Sequence, residues 1–367
     1  MEPLAELPLK PYTTFKIGGP ARYFADVRTP SDVTEAREFA ASRQFAIFVL
    51  GGGSNLLISD RGLDALVLHP FCRGLAVEDE AGPHVLIRAE AGEPWDRVAA
   101  WAVERDWWGI ENLSHIPGQA GAALVQNIGA YGQQISDVLV SAEVADLRTG
   151  ATSRLSAAEC GFAYRKSIFN SSHKGRYLIL SLTLRLSRDP RPNLEYPGVK
   201  SWFETCGVQR PSLAQIRQAI IAIRDAKFPY PREEKGGNAG SFFKNLALTQ
   251  AGYDSLERQF RNNFSSDQLS GLHTLRQRSA AADRIRVPTA FLIEACGLKG
   301  YRMGAASVNE RQPLVLLNEG GATARDVLLL ARHVRQTVFA RTGVKIPIEP
   351  ELAGFMPEEL AEYVEIR

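Results

Sequence analysis

The sequence predicts an α+β fold, and three observations carry that prediction. Apolar runs of strand length (Val85–Ala89, Val138–Asp146, Tyr177–Leu186) follow one another with few helical segments between them. Clustered strands of this kind argue against a doubly wound parallel sheet. A stretch from Ile116 to Gly132 carries too many small residues to be an ordinary core helix. Finally, 367 residues with 45% hydrophobic and 23% charged side chains suit two or three domains with substantial cores.

Taken in order, Pro30 and Ser31 open a helix whose Val33, Ala36, Phe39 and Ala40 share one face. Phe45–Leu50 is a continuous apolar run of strand length that stops at Gly51-Gly52-Gly53-Ser54-Asn55, and Ala65–Leu68 is a further strand. A helix over Pro94–Glu104 places Trp95, Val98 and Ala102 together. Ser212 caps another, which carries Ile216, Ala219, Ile220 and Ile223. Lys227–Pro231 and the run through Gly237 read as an interdomain connection. Beyond it come a helix at Pro288–Cys296 and a strand at Leu314–Leu317. A helix from Arg325 to Arg341 follows, with Thr323 as its cap, Val327, Leu330, Val334 and Val338 as its buried stripe, and Gly343 as its stop. The expected parts are residues 1–70, 71–225, 226–347 and a C-terminal segment, 348–367.

The formal charge of +2 is nearly balanced, which argues against a surface built for nucleic acid and leaves room for one basic phosphate pocket. The arginines between Leu256 and Arg286 (Arg258, Arg261, Arg276, Arg278, Arg284, Arg286) read as a solvated face. The first residues lack a secretory pattern, and no apolar run is long enough to span a bilayer. Four scattered cysteines and six scattered histidines show no disulfide or metal-ligand spacing. A cytoplasmic protein acting on small molecules, as a monomer and without a metal, is expected.

The Gly51–Asn55 loop follows directly on a buried strand, and its amides can form a nest for an anion. It matches neither the Walker pattern nor the G-x-G-x-x-G fingerprint. Alone it is as compatible with a tight turn as with a phosphate cradle. A second small-residue stretch holds Pro117, Gly118 and Gly121, then Asn127, Gly129 and Ala130. Two such loops can grip a dinucleotide's diphosphate from both sides.

The pair GGGSNLLISD and IPGQAGAALVQNIGAYG resembles the flavin site of the UDP-N-acetylenolpyruvoylglucosamine reductases, the MurB family. The likeness extends over nearly the whole chain, through YTTFKIGGPA, FAYRKS, GNAGSFFKN and IEPE in that order. It implies a two-subdomain FAD-binding fold of the PCMH/vanillyl-alcohol-oxidase type with a smaller α+β substrate domain. It also implies FAD as cofactor and NADPH as co-substrate. Some relatives in the wider superfamily bond flavin to a histidine near the first loop. None lies between Leu50 and Leu68, so a non-covalent flavin is expected.

The implied reaction delivers hydride to the methylene carbon of an enolpyruvyl ether, which requires a polarised carboxylate and an acid for the neighbouring carbon. By resemblance, Arg165 and Glu351 polarise the carboxylate and Ser241 donates the proton. Arg224, Lys227, Asn245 and Tyr196 resemble the family's nucleotide-diphosphate grip, with Tyr131 and Tyr164 as further substrate contacts. Tyr196 marks the subtype with a tyrosine-bearing substrate loop. Each has a plainer reading. Ser241 could cap a helix or turn, Arg165 could be a surface or paired arginine, Tyr131 could be a packing aromatic and Tyr196 a surface loop aromatic, and Glu349 competes with Glu351 from two residues away. Two rivals remain: a sugar lactone or alcohol oxidase on the same cofactor fold, and a UDP-sugar binding module without flavin.

Overall fold

The structure is a computed structural model that describes residues 1–80, 82–227, 236–278 and 283–364. The expected interdomain connection falls largely at 228–235, outside the described residues. The chain divides into two compact units. One comprises Met1–Leu7, Ala21–Gly53 and Leu63–Tyr230; the other comprises Pro8–Pro20, Ser54–Gly62 and Pro231–Arg367.

The first unit begins with a strand–helix–strand arrangement. Strands Pro20–Val27 and Ala46–Val49 both run parallel to Leu63–Pro70. The intervening helix, Pro30–Arg43, is closed at its start by Thr29 and Asp32 in a capping box. It buries Val33, Ala36 and Ala40 against Leu66 and Leu68. Phe39, expected on that face, is only partly buried and meets Tyr23 edge-on.

The long strand Tyr177–Ser187 then organises an antiparallel five-stranded sheet, pairing with Leu139–Asp146 on one side and His84–Glu90 on the other. Tyr177–Ser187 is buried at almost every position, as its continuous apolar run demands. Helix Trp95–Val103 packs Trp95, Val98 and Ala102 on residues of this sheet. The small-residue stretch is mostly loop, with one short helix at Ala120–Val125 and a two-residue strand pair, Gly129–Ala130 with Gln133–Gln134. Helices Pro197–Cys206 and Leu213–Lys227 complete the unit; Val199, Phe203, Leu213, Ile216 and Ile220 form one cluster with Tyr131.

In the second unit the helix Ala324–Thr342 is central. Thr323 and Asp326 form a capping box at its start, and Gly343 takes the left-handed conformation (φ 69) at its end. Its buried stripe meets Phe242, Phe243, Phe260 and Leu316 in one core. The region read as a solvated arginine face is a pair of amphipathic helices, Gln250–Asn263 and Ser266–Arg278. Their stripe, Tyr253, Leu256, Phe260 and Leu272, is buried, while Arg258, Arg261 and Arg278 are exposed. Strand Glu351–Ala353 returns to run parallel with Leu56–Ile58.

Candidate active site

The two Gly-rich loops lie side by side in the first unit, backbone against backbone. A Cβ built on Gly52 would stand 2.6 Å from Gly118 Cα, and one on Gly51 would stand 2.8 Å from Ala122 Cβ. Among the described residues, the amides of Gly52, Gly118 and Gln119 donate to no protein acceptor. Half-buried N–H groups left open on adjoining loops are the kind of donors that an anion can satisfy. The loops are braced from behind. Gln119 Nε2 donates to Pro70 O (3.0 Å) and faces His69 Nε2 (3.1 Å), and His69 Nδ1 lies 3.0 Å from Asp26 Oδ1. The tautomer that satisfies both contacts carries its proton on Nδ1.

Arg165 sits at a corner. Ala163 and Lys166 exchange both backbone hydrogen bonds, leaving Tyr164 and Arg165 as the two turn residues. Arg165 takes φ 54, and its Nη1 donates to Gly129 O at 3.0 Å. Tyr164 is exposed beneath that guanidinium, 5.6 Å from ring centroid to Cζ. Asn127 (φ 48) is buried, its Oδ1 accepting from Ser136 N and its Nδ2 donating to Ala163 O, so its carboxamide braces these turns internally. Tyr131 shares the left-handed conformation (φ 48). Non-glycine residues held at positive φ cost energy and gather at functional sites.

Tyr131 is also where three of the expected substrate residues of this unit meet, Tyr196, Arg224 and Lys227, while Tyr164 stays at the Arg165 turn. The Tyr196 ring lies edge-on to that of Tyr131 at 5.1 Å, and Lys227 Nζ stands 5.4 Å from the Tyr131 centroid. Arg224 hydrogen-bonds the Tyr131 phenol and donates Nε to His115 O at 2.8 Å. Burial pushes the Tyr131 phenol up despite Arg224. Burial, and then the Arg224 charge, hold the Lys227 ammonium below the ordinary lysine range. Arg224 and Lys227 thus stand together at the Tyr131 ring, and burial already disfavours the Lys227 charge.

In the second unit Ser241 is half-buried and its hydroxyl makes no hydrogen bond among the described residues, so it caps neither a helix nor a turn there. Phe242 N donates to Leu314 O, and Glu349 N donates to Phe242 O, so the segment after Ser241 is fastened on both sides. Glu351 N donates to Asn55 O at 3.0 Å, within the same unit. Asn245 Oδ1 accepts from Thr289 N (3.1 Å) at the start of helix Thr289–Ala295.

Comparison with known proteins decides what these pieces belong to. Residues 21–156 match the FAD binding domain family, and residues 231–353 match the C-terminal domain of UDP-N-acetylenolpyruvoylglucosamine reductase. The chain is 39% identical over 347 residues to the UDP-N-acetylenolpyruvoylglucosamine reductase of Pseudomonas putida, covering 95% of this chain and 98% of the relative. It is 40% identical to that of Pseudomonas aeruginosa, covering 94% and 97%. The chain belongs to the UDP-N-acetylenolpyruvoylglucosamine reductase family. Its fold is that of the Thermus caldophilus reductase, with a TM-score of 0.63 at 24% identity over 96% of this chain and 98% of that one. It is an FAD-dependent oxidoreductase, as the resemblance of its motifs implied. The open amides of the paired loops fit the diphosphate of that cofactor.

Behind these family residues stands a second layer that no motif marked. Asp96 receives Arg217 through both oxygens (2.6 and 2.9 Å) and also His115 N (2.5 Å). The His115 ring meets Asp225 at 3.0 Å. His115 therefore ties helix Leu213–Lys227, and with it Arg224, to the loop before Pro117. Burial alone would push the Asp96 carboxyl up, but Arg217 and the His115 amide outweigh it and hold the group below the ordinary aspartate range. Such a group stabilises the fold above its unfolded pKa, and that contribution is lost as pH falls through the lower folded value. Asp96→Ala, which strands Arg217, should cost about 3 kcal/mol. Urea denaturation at neutral pH and again near pH 3 checks this, since the difference from the parent should shrink in acid.

Proposed function

We propose that this chain reduces UDP-N-acetylglucosamine enolpyruvate to UDP-N-acetylmuramate with NADPH, in the cytoplasm, as a monomer and as a step toward peptidoglycan. The observation that carries this reading is the 39% identity to a UDP-N-acetylenolpyruvoylglucosamine reductase across 95% of the chain, with an FAD binding domain match at 21–156 and a match to that reductase's C-terminal domain at 231–353. Gly51–Asn55, Pro117, Gly118, Gly121, Asn127, Gly129 and Ala130 would hold FAD. That cofactor, when bound, supplies the two-electron carrier between NADPH and substrate. In this reading residues 1–70 and 71–225 are the two flavin-binding subdomains, the second also lending residues to the substrate, 226–347 are the substrate domain, and 348–367 deliver Glu351.

The roles of the chain's own groups follow from the charge the reaction develops. Hydride arriving at the methylene carbon drives electron density onto the carbon beside the carboxylate. Arg165 and Glu351 hold that carboxylate and draw the charge outward, and Ser241 supplies the proton. Arg165 suits the task because a fixed turn and the Gly129 carbonyl orient its guanidinium. Arg224 and Lys227 take the diphosphate, with Tyr131, Tyr196, Tyr164 and Asn245 around the rest of the sugar nucleotide.

The decisive experiment joins a visible spectrum of the purified protein to an NADPH-oxidation assay. A yellow protein that oxidises NADPH only with the enolpyruvyl substrate supports the reading. Oxygen uptake driven by a sugar alcohol would replace it with the oxidase, and a colourless protein with the binding module. The depressed Lys227 gives a further expectation. As pH rises it loses its charge earlier than an ordinary lysine near ~10.4, so KM for the sugar nucleotide should climb on the alkaline side. Loss of one charge-assisted phosphate contact is worth about tenfold or more in KM. Lys227→Arg keeps its charge and should flatten that limb; a limb that persists in this variant refutes the assignment.

A further inference from the structure

Asn112 is fully buried in the first unit and belongs to none of the motifs above. Its Nδ2 donates to Tyr131 O and to Asn193 O, both at 2.8 Å. Both amide hydrogens are therefore spent on two segments far apart in sequence, the turn at Tyr131 and the segment that leads to Tyr196. The Oδ1 has no partner among the described residues. A buried carbonyl left unbonded is costly, so it is the two acceptors that fix how this amide is turned. The opposite orientation would set oxygen against two carbonyl oxygens.

The fastening is doubled and then anchored. Asn193 Nδ2 donates back to Gly132 O at 2.9 Å. Asn112 N donates to Gln133 Oε1 at 2.8 Å, and Gln133 Nε2 donates to the buried Glu111 carboxylate at 2.7 Å. Tyr131, the residue whose carbonyl is gripped, is held at φ 48. Tyr196, in contrast, is 41% exposed and has the edge-on contact with Tyr131. The outer tyrosine thus rests on an inner one whose backbone Asn112 ties to its own segment.

We propose that Asn112 is a positioning residue for the sugar-nucleotide pocket, its carboxamide latching the Asn193–Tyr196 segment onto the Tyr131 turn so that the two rings are set before substrate arrives. The proposal rests on the reading that Tyr131 and Tyr196 face the substrate. A residue that merely filled the core would change stability alone. A latch changes the affinity for sugar nucleotide and the surroundings of the Tyr131 phenol.

The test uses the flavin-loaded enzyme with Asn112→Ala, Asn193→Ala and Tyr196→Ala, singly and with Asn112 and Tyr196 paired. Tyrosine ionisation is followed in the ultraviolet, with Tyr131→Phe identifying the inner phenol. Asn112→Ala should raise KM for the sugar nucleotide about tenfold, the loss of two buried hydrogen bonds, with kcat changed far less. The Tyr131 phenol should ionise at lower pH as the pair opens. On top of Tyr196→Ala, Asn112→Ala should add less than about twofold, because the latch has nothing left to hold. If Asn112→Ala fails to fold, Asn193→Ala carries the test in the same direction from a half-buried loop position.

If Tyr196→Ala raises KM while neither asparagine variant moves KM or the tyrosine titration, the latch is overturned and the substrate reading stands. Full multiplication of the Asn112 and Tyr196 effects overturns it as well. If Tyr196→Ala itself leaves KM unchanged, the substrate reading of this pocket falls, and the positioning role with it.

Discussion

Ser241→Ala should leave flavin reduction by NADPH at its parent rate while cutting formation of the lactyl ether about a thousandfold, the scale of a positioned general acid. Serine is a weak acid, but the group it would serve is strongly basic: a carbon gaining a pair of electrons beside a carboxylate. What matters then is position, and the structure supplies the means. Phe242 and Phe243 are fully buried, and the backbone at Phe242 is bonded on both sides, to Leu314 and to Glu349. On the other flank Gly240 has φ 70, and a Cβ built there would meet nothing within 4 Å. Ser241 thus stands between that anchor and a glycine beside open space. Among the described residues nothing accepts from or donates to its hydroxyl. The substitution removes one oxygen that makes no hydrogen bond among the described residues, so stability should stay within about 0.5 kcal/mol. Two rates measured on one preparation, flavin bleaching by NADPH and product formation, settle the matter. A variant that makes product at the parent rate removes Ser241 from the chemistry. One that also fails to accept electrons from NADPH shows damage to the flavin site instead.

Much of the scaffold around these residues was readable from the chain because its signals are local. Helix Ala324–Thr342 announced itself by a stripe, a capping threonine and a terminal glycine, and all three took their expected places. Strand Tyr177–Ser187 followed from an apolar run too long to be exposed. Helices Gln250–Asn263 and Ser266–Arg278 did not emerge, because numerous arginines on the wet face masked a sparse stripe of Tyr253, Leu256, Phe260 and Leu272. The Gly-rich loops were visible as loops, but their backbone contact at Gly52 and Gly118 depends on tertiary approach that residue types do not encode. Tyr131 and Arg165 at positive φ were equally hidden, since neither side chain favours that conformation. Asp96 and Arg217 lie 121 residues apart and carry no shared pattern. Motifs identified the groups proposed to meet substrate. The groups that aim them were found only in the folded chain.

Gly52→Ala should yield a folded but colourless protein, with flavin affinity reduced at least about a hundredfold by separation of the two cradles. The added Cβ would stand 2.6 Å from Gly118 Cα and 3.0 Å from Gln119 N, both backbone atoms that no rotamer change can clear. The loops must part, and Gln119 N is itself one of the open donors. Gly51 presents a different obstacle. Its Cβ would meet the Ala122 methyl at 2.8 Å, and its next contact is Gln119 Oε1 at an ordinary 3.5 Å. Gly51→Ala should therefore weaken flavin binding alone, yet recover when paired with Ala122→Gly, which removes the obstructing carbon. No such partner exists for Gly52, because its neighbour is already a glycine. Gly252→Ala, whose built Cβ has only ordinary contacts of 3.4 Å and beyond, serves as the control and should keep its colour. Circular dichroism confirms folding and fluorescence titration with FAD reads affinity. Rescue at position 51 with none at 52 means the diphosphate is held by the closeness of two backbones. Full colour in Gly52→Ala would mean that these loops do not form the grip.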